Sequence, residues 1–221
     1  MSAGRQNALV FDLDGTLSDP AVGIGRSINH ALLCCGFEPI SESAVSTYIG
    51  PPLDVAFRAI TGTESPEIVQ RLVHKYRERY ADVGFAENVL YPGIAEALAS
   101  LSDRNCFLGV CTSKRIDFAE RILQMFDLRA HFAFVDGGEI GTHKDQQLRA
   151  LLANGVIGAR STMIGDRSVD VAAARANGLK SVGVLWGHGS REELTNAGAD
   201  LLLESVGDVA RLVPIGNTAH L

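Results

Sequence analysis

The sequence predicts an α/β fold: a parallel sheet covered on both faces by helices, with one all-helical insertion. Three observations carry this reading. Short apolar runs without a polar face recur along the chain, and amphipathic helical stretches separate them. Strand, helix, strand repeated in that way calls for right-handed crossovers and a sheet buried on both sides. Residues 20–88 break the rhythm, with helical periodicity and no convincing strand.

Taken in order, "ALVF" (8–11) is the first buried strand. Asp19-Pro20 opens a helix in which Ile24, Ile28, Ala31 and Leu32 share one face, and Gly36 closes it. "YIGPPLDVAF" (48–57) is a Gly-Pro-Pro turn feeding another helix. "SPEIVQRLVHKYRERYADVG" (65–84) is a longer one, with Ser65 as N-cap and Pro66 in the first turn. Its many charges place Tyr76, Arg77 and Tyr80 on a solvated face, and His30 and His74 read as surface residues. Tyr91-Pro92-Gly93 marks the return to the sheet. The remaining strands are "CFLGVC" (106–111), "HFAFV" (131–135), "STMIG" (161–165), "SVGVL" (181–185) and "DLLLES" (200–205). "DFAERILQMF" (117–126) and "DVAAARANG" (170–178) are helices between them, the second stopped by Gly178. "PIGNTAHL" reads as a loose tail. The expected organisation is a core of 1–18 with 89–221, and a helical domain of 19–88.

Composition narrows the classes. The chain has 221 residues, 46% of them hydrophobic, enough for a full core. A net charge of −6 without a basic stripe argues against nucleic acid as a partner. No stretch has the length of a membrane span, and "MSAGRQNALVF" has no apolar leader region, so a cytoplasmic protein is expected. Cys34, Cys35, Cys106 and Cys111 form neither a zinc spacing nor a disulfide framework; Cys106 and Cys111 read as small buried hydrophobes. Nothing in the sequence fixes an oligomeric state.

Function in open α/β sheets gathers at the carboxyl ends of the strands. There the chain places Asp12, Asp14 and Thr16; then Thr112, Ser113 and Lys114; then "GGEIGTHKD" with Lys144; then "GDRSVD" with Asp166 and Asp170. Four carboxylates crowded together cannot all stay ionised without compensation. A hard divalent cation supplies it, and all-oxygen ligands with spare water positions suit Mg²⁺. With Lys144, Thr112 and strand-end N–H groups as donors, the same cleft would hold an anion. The set amounts to phosphoryl-transfer machinery.

"DLDGTLSD", "VCTSK", Lys144 and "GDRSVD", in that order, resemble the four motifs of the haloacid dehalogenase superfamily, over nearly the whole chain. The resemblance implies a Rossmann-like core with an inserted helical cap. "IGPPL" and "GVLWGHGSREEL" look most like its phosphoglycolate phosphatase and 5′-nucleotidase branch. It further implies roles. Asp12 would be the nucleophile, forming an aspartyl-phosphate, and Asp14 the general acid and base. Thr112 and Lys144 would hold the phosphoryl oxygens, with Gly15 and Ser113 completing the phosphate site. Mg²⁺ would sit on Asp12, the Asp14 carbonyl and Asp166, and Asp170 would orient metal waters or Lys144. Gly50 and Pro51 would read the leaving group. The presence of Asp14 favours a phosphate ester over a haloacid. The expected substrate is a small phosphorylated metabolite: 2-phosphoglycolate first, a nucleoside 5′-monophosphate second. A sugar phosphomutase and a phospho-aspartate signalling module are the other readings. One departure stands out: Asp145, not proline, follows Lys144, and His143 is a neighbouring candidate for its role. Arg167 could face substrate or solvent, while packing accounts for Trp186 and His188 as well as ligand contact does.

Overall fold

The structure, a computed structural model, describes residues 6–138 and 142–212. The chain divides into two compact units, one of residues 1–18 with 90–221 and one of 19–89.

The first unit is built on a six-stranded sheet. Its strands are β1 (Ala8–Phe11), β4 (Phe107–Thr112), β5 (Phe134–Gly137), β6 (Thr162–Gly165), β7 (Lys180–Val184) and β8 (Leu201–Leu203). Their order is β5-β4-β1-β6-β7-β8, and every pairing is parallel. All four residues of β1 are buried because helices cover both sides of a central strand. Ala8 and Val10 pack on one side with Cys111, Met163, Leu148 and Ala174. A Cβ at Gly109 would lie 2.0 Å from the Phe134 ring, so the glycine in β4 makes room for its neighbour strand. The covering helices are α5 (Ile94–Asp103), α6 (Ile116–Met125), α7 (Lys144–Ala153), α8 (Ser168–Ala176) and α9 (Arg191–Ala197). Gly178 follows α8 at φ +66, the left-handed stop expected of it.

Two local expectations for this first unit need correction. The stretch 131–135 is not one strand: His131 ends a 3₁₀ turn and β5 begins at Phe134, running on to Gly137. Apolarity misplaced it because an edge strand is only half-buried and admits Asp136. Cys111 is buried, but Cys106 is only partly so; all four cysteines are free thiols. The segment "PIGNTAHL" lies outside the described residues.

The second unit holds α1 (Ala21–Cys34), α2 (Glu42–Val45), α3 (Leu53–Thr61) and α4 (Pro66–Asp82). Ile24, Ile28, Ala31 and Leu32 are buried along one side of α1. Asp19 Oδ1 accepts from Ala21 N at 2.9 Å at its start, and Gly36 takes φ +81 beyond its end. Ser65 Oγ accepts from Ile68 N, capping α4. Tyr76 and Tyr80 are not solvated. They continue a buried stripe with Val69 and Leu72, and Tyr76 meets Phe57 edge-on and stacks on Tyr80 at 5.4 Å. The three-and-four spacing of that stripe was masked by the charges between its members. The short strands β2 (Ser18–Asp19) and β3 (Val89–Leu90) pair as a ribbon where the chain passes between units. Among the described residues no helix is long and apolar enough to cross a membrane.

Candidate active site

Four parallel strands, β5, β4, β1 and β6, end side by side, and the polar groups follow those ends. Asp12 comes directly after β1, its backbone N–H still bonded to Ile164 O at 2.8 Å and its Oδ1 accepting from Leu13 N at 2.8 Å, so its side chain has little freedom. Asp166 follows β6, and Asp170 stands in the first turn of α8. Asp12, Asp166 and Asp170 are all buried, and each offers an oxygen within 4.8 Å of the others. Lys144, the first residue of α7, is 2% exposed; its Nζ lies 3.0 Å from Asp12 Oδ2 and also binds Asp170 Oδ1. His143 is exposed at the helix start, so the lysine alone of that pair enters the cluster.

Asp14 stands apart from the triad. Its Oδ2 accepts from Lys114 Nζ at 2.8 Å, and both side chains are largely buried. Thr112 is buried at the end of β4, its Oγ1 accepting from Lys114 N, while Ser113 is exposed. Gly15 takes φ +79, and a Cβ there would fall 2.2 Å from Asp166 Oδ2. Cβ atoms at Gly187 and Gly189 would fall 2.4 Å from Asp166 Cβ and 1.8 Å from its carbonyl oxygen. Between them, His188 N donates to Asp166 Oδ2 at 2.8 Å, and Thr16 Oγ1 donates to Oδ1 at 3.2 Å. Asp166 thus sits in a cradle that only glycine permits. Trp186 Nε1 donates to Thr16 O at 3.0 Å, which anchors the same loop. Arg167 is paired with Glu193 at 3.0 Å. Gly50 (φ +104) and Pro51 form the turn before α3, in the helical unit.

The electrostatics follow from this packing. Burial first, then the carboxylates of Asp170 and Asp12, push the Asp166 carboxyl up to about 7. Burial also raises Asp170, against the pull of Lys144, and raises Asp14, against the pull of Lys114. Burial alone would lower Lys144, but Asp12 and Asp170 outweigh it and keep the lysine charged. Four carboxylates (Asp12, Asp14, Asp166, Asp170) against two ammonium groups (Lys114, Lys144) leave a formal charge of −2. A buried deficit of two charges on an all-oxygen donor set fits one hard divalent cation.

Sequence reading left three parts of this site without a role. Lys114 was in view in "VCTSK", but its partner Asp14 is 100 residues away in the chain. The Gly187–Gly189 loop carried a signal in its paired glycines. Gln147 lies one turn after Lys144, on the same buried side of α7, and its spacing could have exposed it.

A family model described as haloacid dehalogenase-like hydrolase matches residues 9–184. The chain is 38% identical to a 5′-nucleotidase of Pseudomonas aeruginosa, over 87% of this chain and 89% of that one. It is 32% identical to a phosphoglycolate phosphatase of Agrobacterium fabrum, over 81% of this chain and 80% of the relative. It is 40% identical to the tyrosine-protein kinase PtkA of Mycobacterium tuberculosis, over 82% of this chain but 62% of that protein. Among solved structures, a haloacid dehalogenase-like family hydrolase of Streptococcus pneumoniae superposes with a TM-score of 0.86. It is 25% identical, covering 94% of this chain and 98% of that one.

Proposed function

The chain belongs to the haloacid dehalogenase-like hydrolases and is a phosphatase of that family; from that premise we propose that it is a Mg²⁺-dependent phosphomonoesterase. The observation that carries the proposal is one cluster. Asp12, Asp166 and Asp170 are gathered around the buried Lys144, with Asp14 and Thr112 at the neighbouring positions of the same sheet edge.

Asp12 is the nucleophile. Its carboxylate attacks phosphorus, the P–O bond to the leaving alcohol breaks, and an aspartyl-phosphate forms. Asp14, with its carboxyl raised by burial, gives the leaving oxygen a proton and then takes one from the water that hydrolyses the intermediate. Lys144 and the Thr112 hydroxyl hold the phosphoryl oxygens, beside Ser113 and Gly15. Asp12, the Asp14 carbonyl and Asp166 would hold Mg²⁺, with Asp170 orienting both that site and Lys144. Bound there, the ion neutralises charge on the transferring group.

The relative named a 5′-nucleotidase is more similar than the one named a phosphoglycolate phosphatase, which favours nucleoside 5′-monophosphates ahead of 2-phosphoglycolate. In the helical unit, Gly50 and Pro51 would read the leaving group, so Pro51→Ala should reorder substrates. The test is phosphate release from a panel of phosphate esters with Mg²⁺ and with EDTA. Release that EDTA abolishes supports the reading; no release from any ester defeats it. The similarity to PtkA favours a second reading, transfer of the phosphoryl group to a protein tyrosine. Radiolabel appearing on a tyrosine peptide, in preference to free phosphate, would select it.

A further inference from the structure

We propose that Gln147 is a positioning residue for the phosphate site, acting through the Thr112–Ser113 peptide; the inference rests on the phosphomonoesterase reading above. Gln147 is 4% exposed and stands on α7 three residues after Lys144. Its Nε2 donates twice, to the backbone oxygen of Thr112 at 3.2 Å and to Asp136 Oδ1 at 2.8 Å. Both partners are acceptors, so the amide nitrogen and not the amide oxygen must face them. One side chain therefore ties together the end of β4, the end of β5 and the helix that carries Lys144.

The consequence is directional. Every described peptide is trans, so the Thr112 carbonyl and the Ser113 N–H point opposite ways from one rigid plane. Holding the carbonyl on Gln147 sets the direction in which that N–H is offered. It also sets the base from which the Thr112 hydroxyl projects. The residues after β5 pack on the same turn: Gly138 N donates to Lys114 O at 2.8 Å, and a Cβ at Gly138 would lie 2.5 Å from Ser113 O. The turn is enclosed on that side, and Gln147 fixes it from the helix. An amide donates both bonds, which an ionised carboxylate cannot, and it adds no further negative charge to a cluster already short of positive charge.

The test compares three variants of the full chain: Gln147→Leu, Gln147→Glu, and a double variant that combines Gln147→Glu with Asp136→Asn. The readouts are kcat, KM, melting temperature and affinity for inorganic phosphate in the presence of Mg²⁺. Gln147→Leu keeps the volume and loses both donors. It should fold, lower kcat by roughly tenfold to a hundredfold and weaken phosphate binding. Gln147→Glu sets two carboxylates together and should melt lower. In the double variant the amide introduced by Asp136→Asn donates to the carboxylate introduced on α7, which should restore melting. Thr112 O still lacks its donor there, so kcat should stay low. Wild-type kcat and phosphate affinity in Gln147→Leu would overturn the proposal. So would recovery of turnover together with melting in the double variant. A wild-type protein inert toward every ester would instead defeat the enzymatic reading on which the proposal rests, before any variant is compared.

Discussion

The carboxyl edge of the sheet and the core of the helical unit bury side chains on opposite principles. In the helical unit, Phe57, Leu72, Tyr76 and Tyr80 are removed from water to gain packing, and ion pairs such as Lys75–Glu78 keep both partners partly in water. At the sheet edge, Asp12, Lys144, Asp166 and Asp170 are buried at the expense of stability, since charges taken out of water repay their desolvation poorly. A fold keeps such a cluster for chemistry. The contrast predicts that mutations in the two regions will separate activity from stability.

The largest effect should be that of Asp12→Asn. Loss of the proposed nucleophile should lower phosphate release by roughly 10⁴-fold or more, with melting in metal-free buffer unchanged or raised because one buried negative charge is gone. A collapse in melting temperature would break the contrast. Phe57→Ala is the converse case, expected to destabilise the helical unit by about 3–5 kcal/mol in denaturant titration. Next comes pH. The Asp166 carboxyl titrates near 7 in the metal-free fold against an ordinary 3.8. Its contribution to stability is complete below about pH 4 and is lost as the pH rises through about 7. Metal-free protein should therefore melt lower at about pH 8 than at about pH 5.5, and Mg²⁺ should raise the pH 8 value more. Equal shifts at both pH values would remove the cation from this cluster. Lys75→Ala should be the smallest change, with melting and turnover both as in wild type.

How far the sequence could be read depended on the range of the physics. Strand β1 and the acids after it were legible because a fully apolar run ending in Asp12 and Asp14 is a local contradiction with one resolution. Ile24, Ile28, Ala31 and Leu32 were legible for the same reason, a clean helical period. Tyr76 and Tyr80 were misread because charge density along α4 was given more weight than spacing. The start of β5 was misplaced because an edge strand is not uniformly apolar. The pairing of Lys114 with Asp14, and of Gln147 with Thr112 and Asp136, depends on which strand ends become neighbours. No window of sequence contains that information.

Trp186 gives the molecule an optical property. It is the chain's one tryptophan, and its indole N–H is bonded to the carbonyl of Thr16, two residues from Asp14. Tyr48, Tyr76 and Tyr80 lie in the helical unit, which has no tryptophan. Light absorbed by indole alone therefore reports on the loop around Asp166, while tyrosine emission weights the helices. The unlabelled protein carries two spectroscopic channels, one for ligands arriving at the sheet edge and one for melting of the other unit.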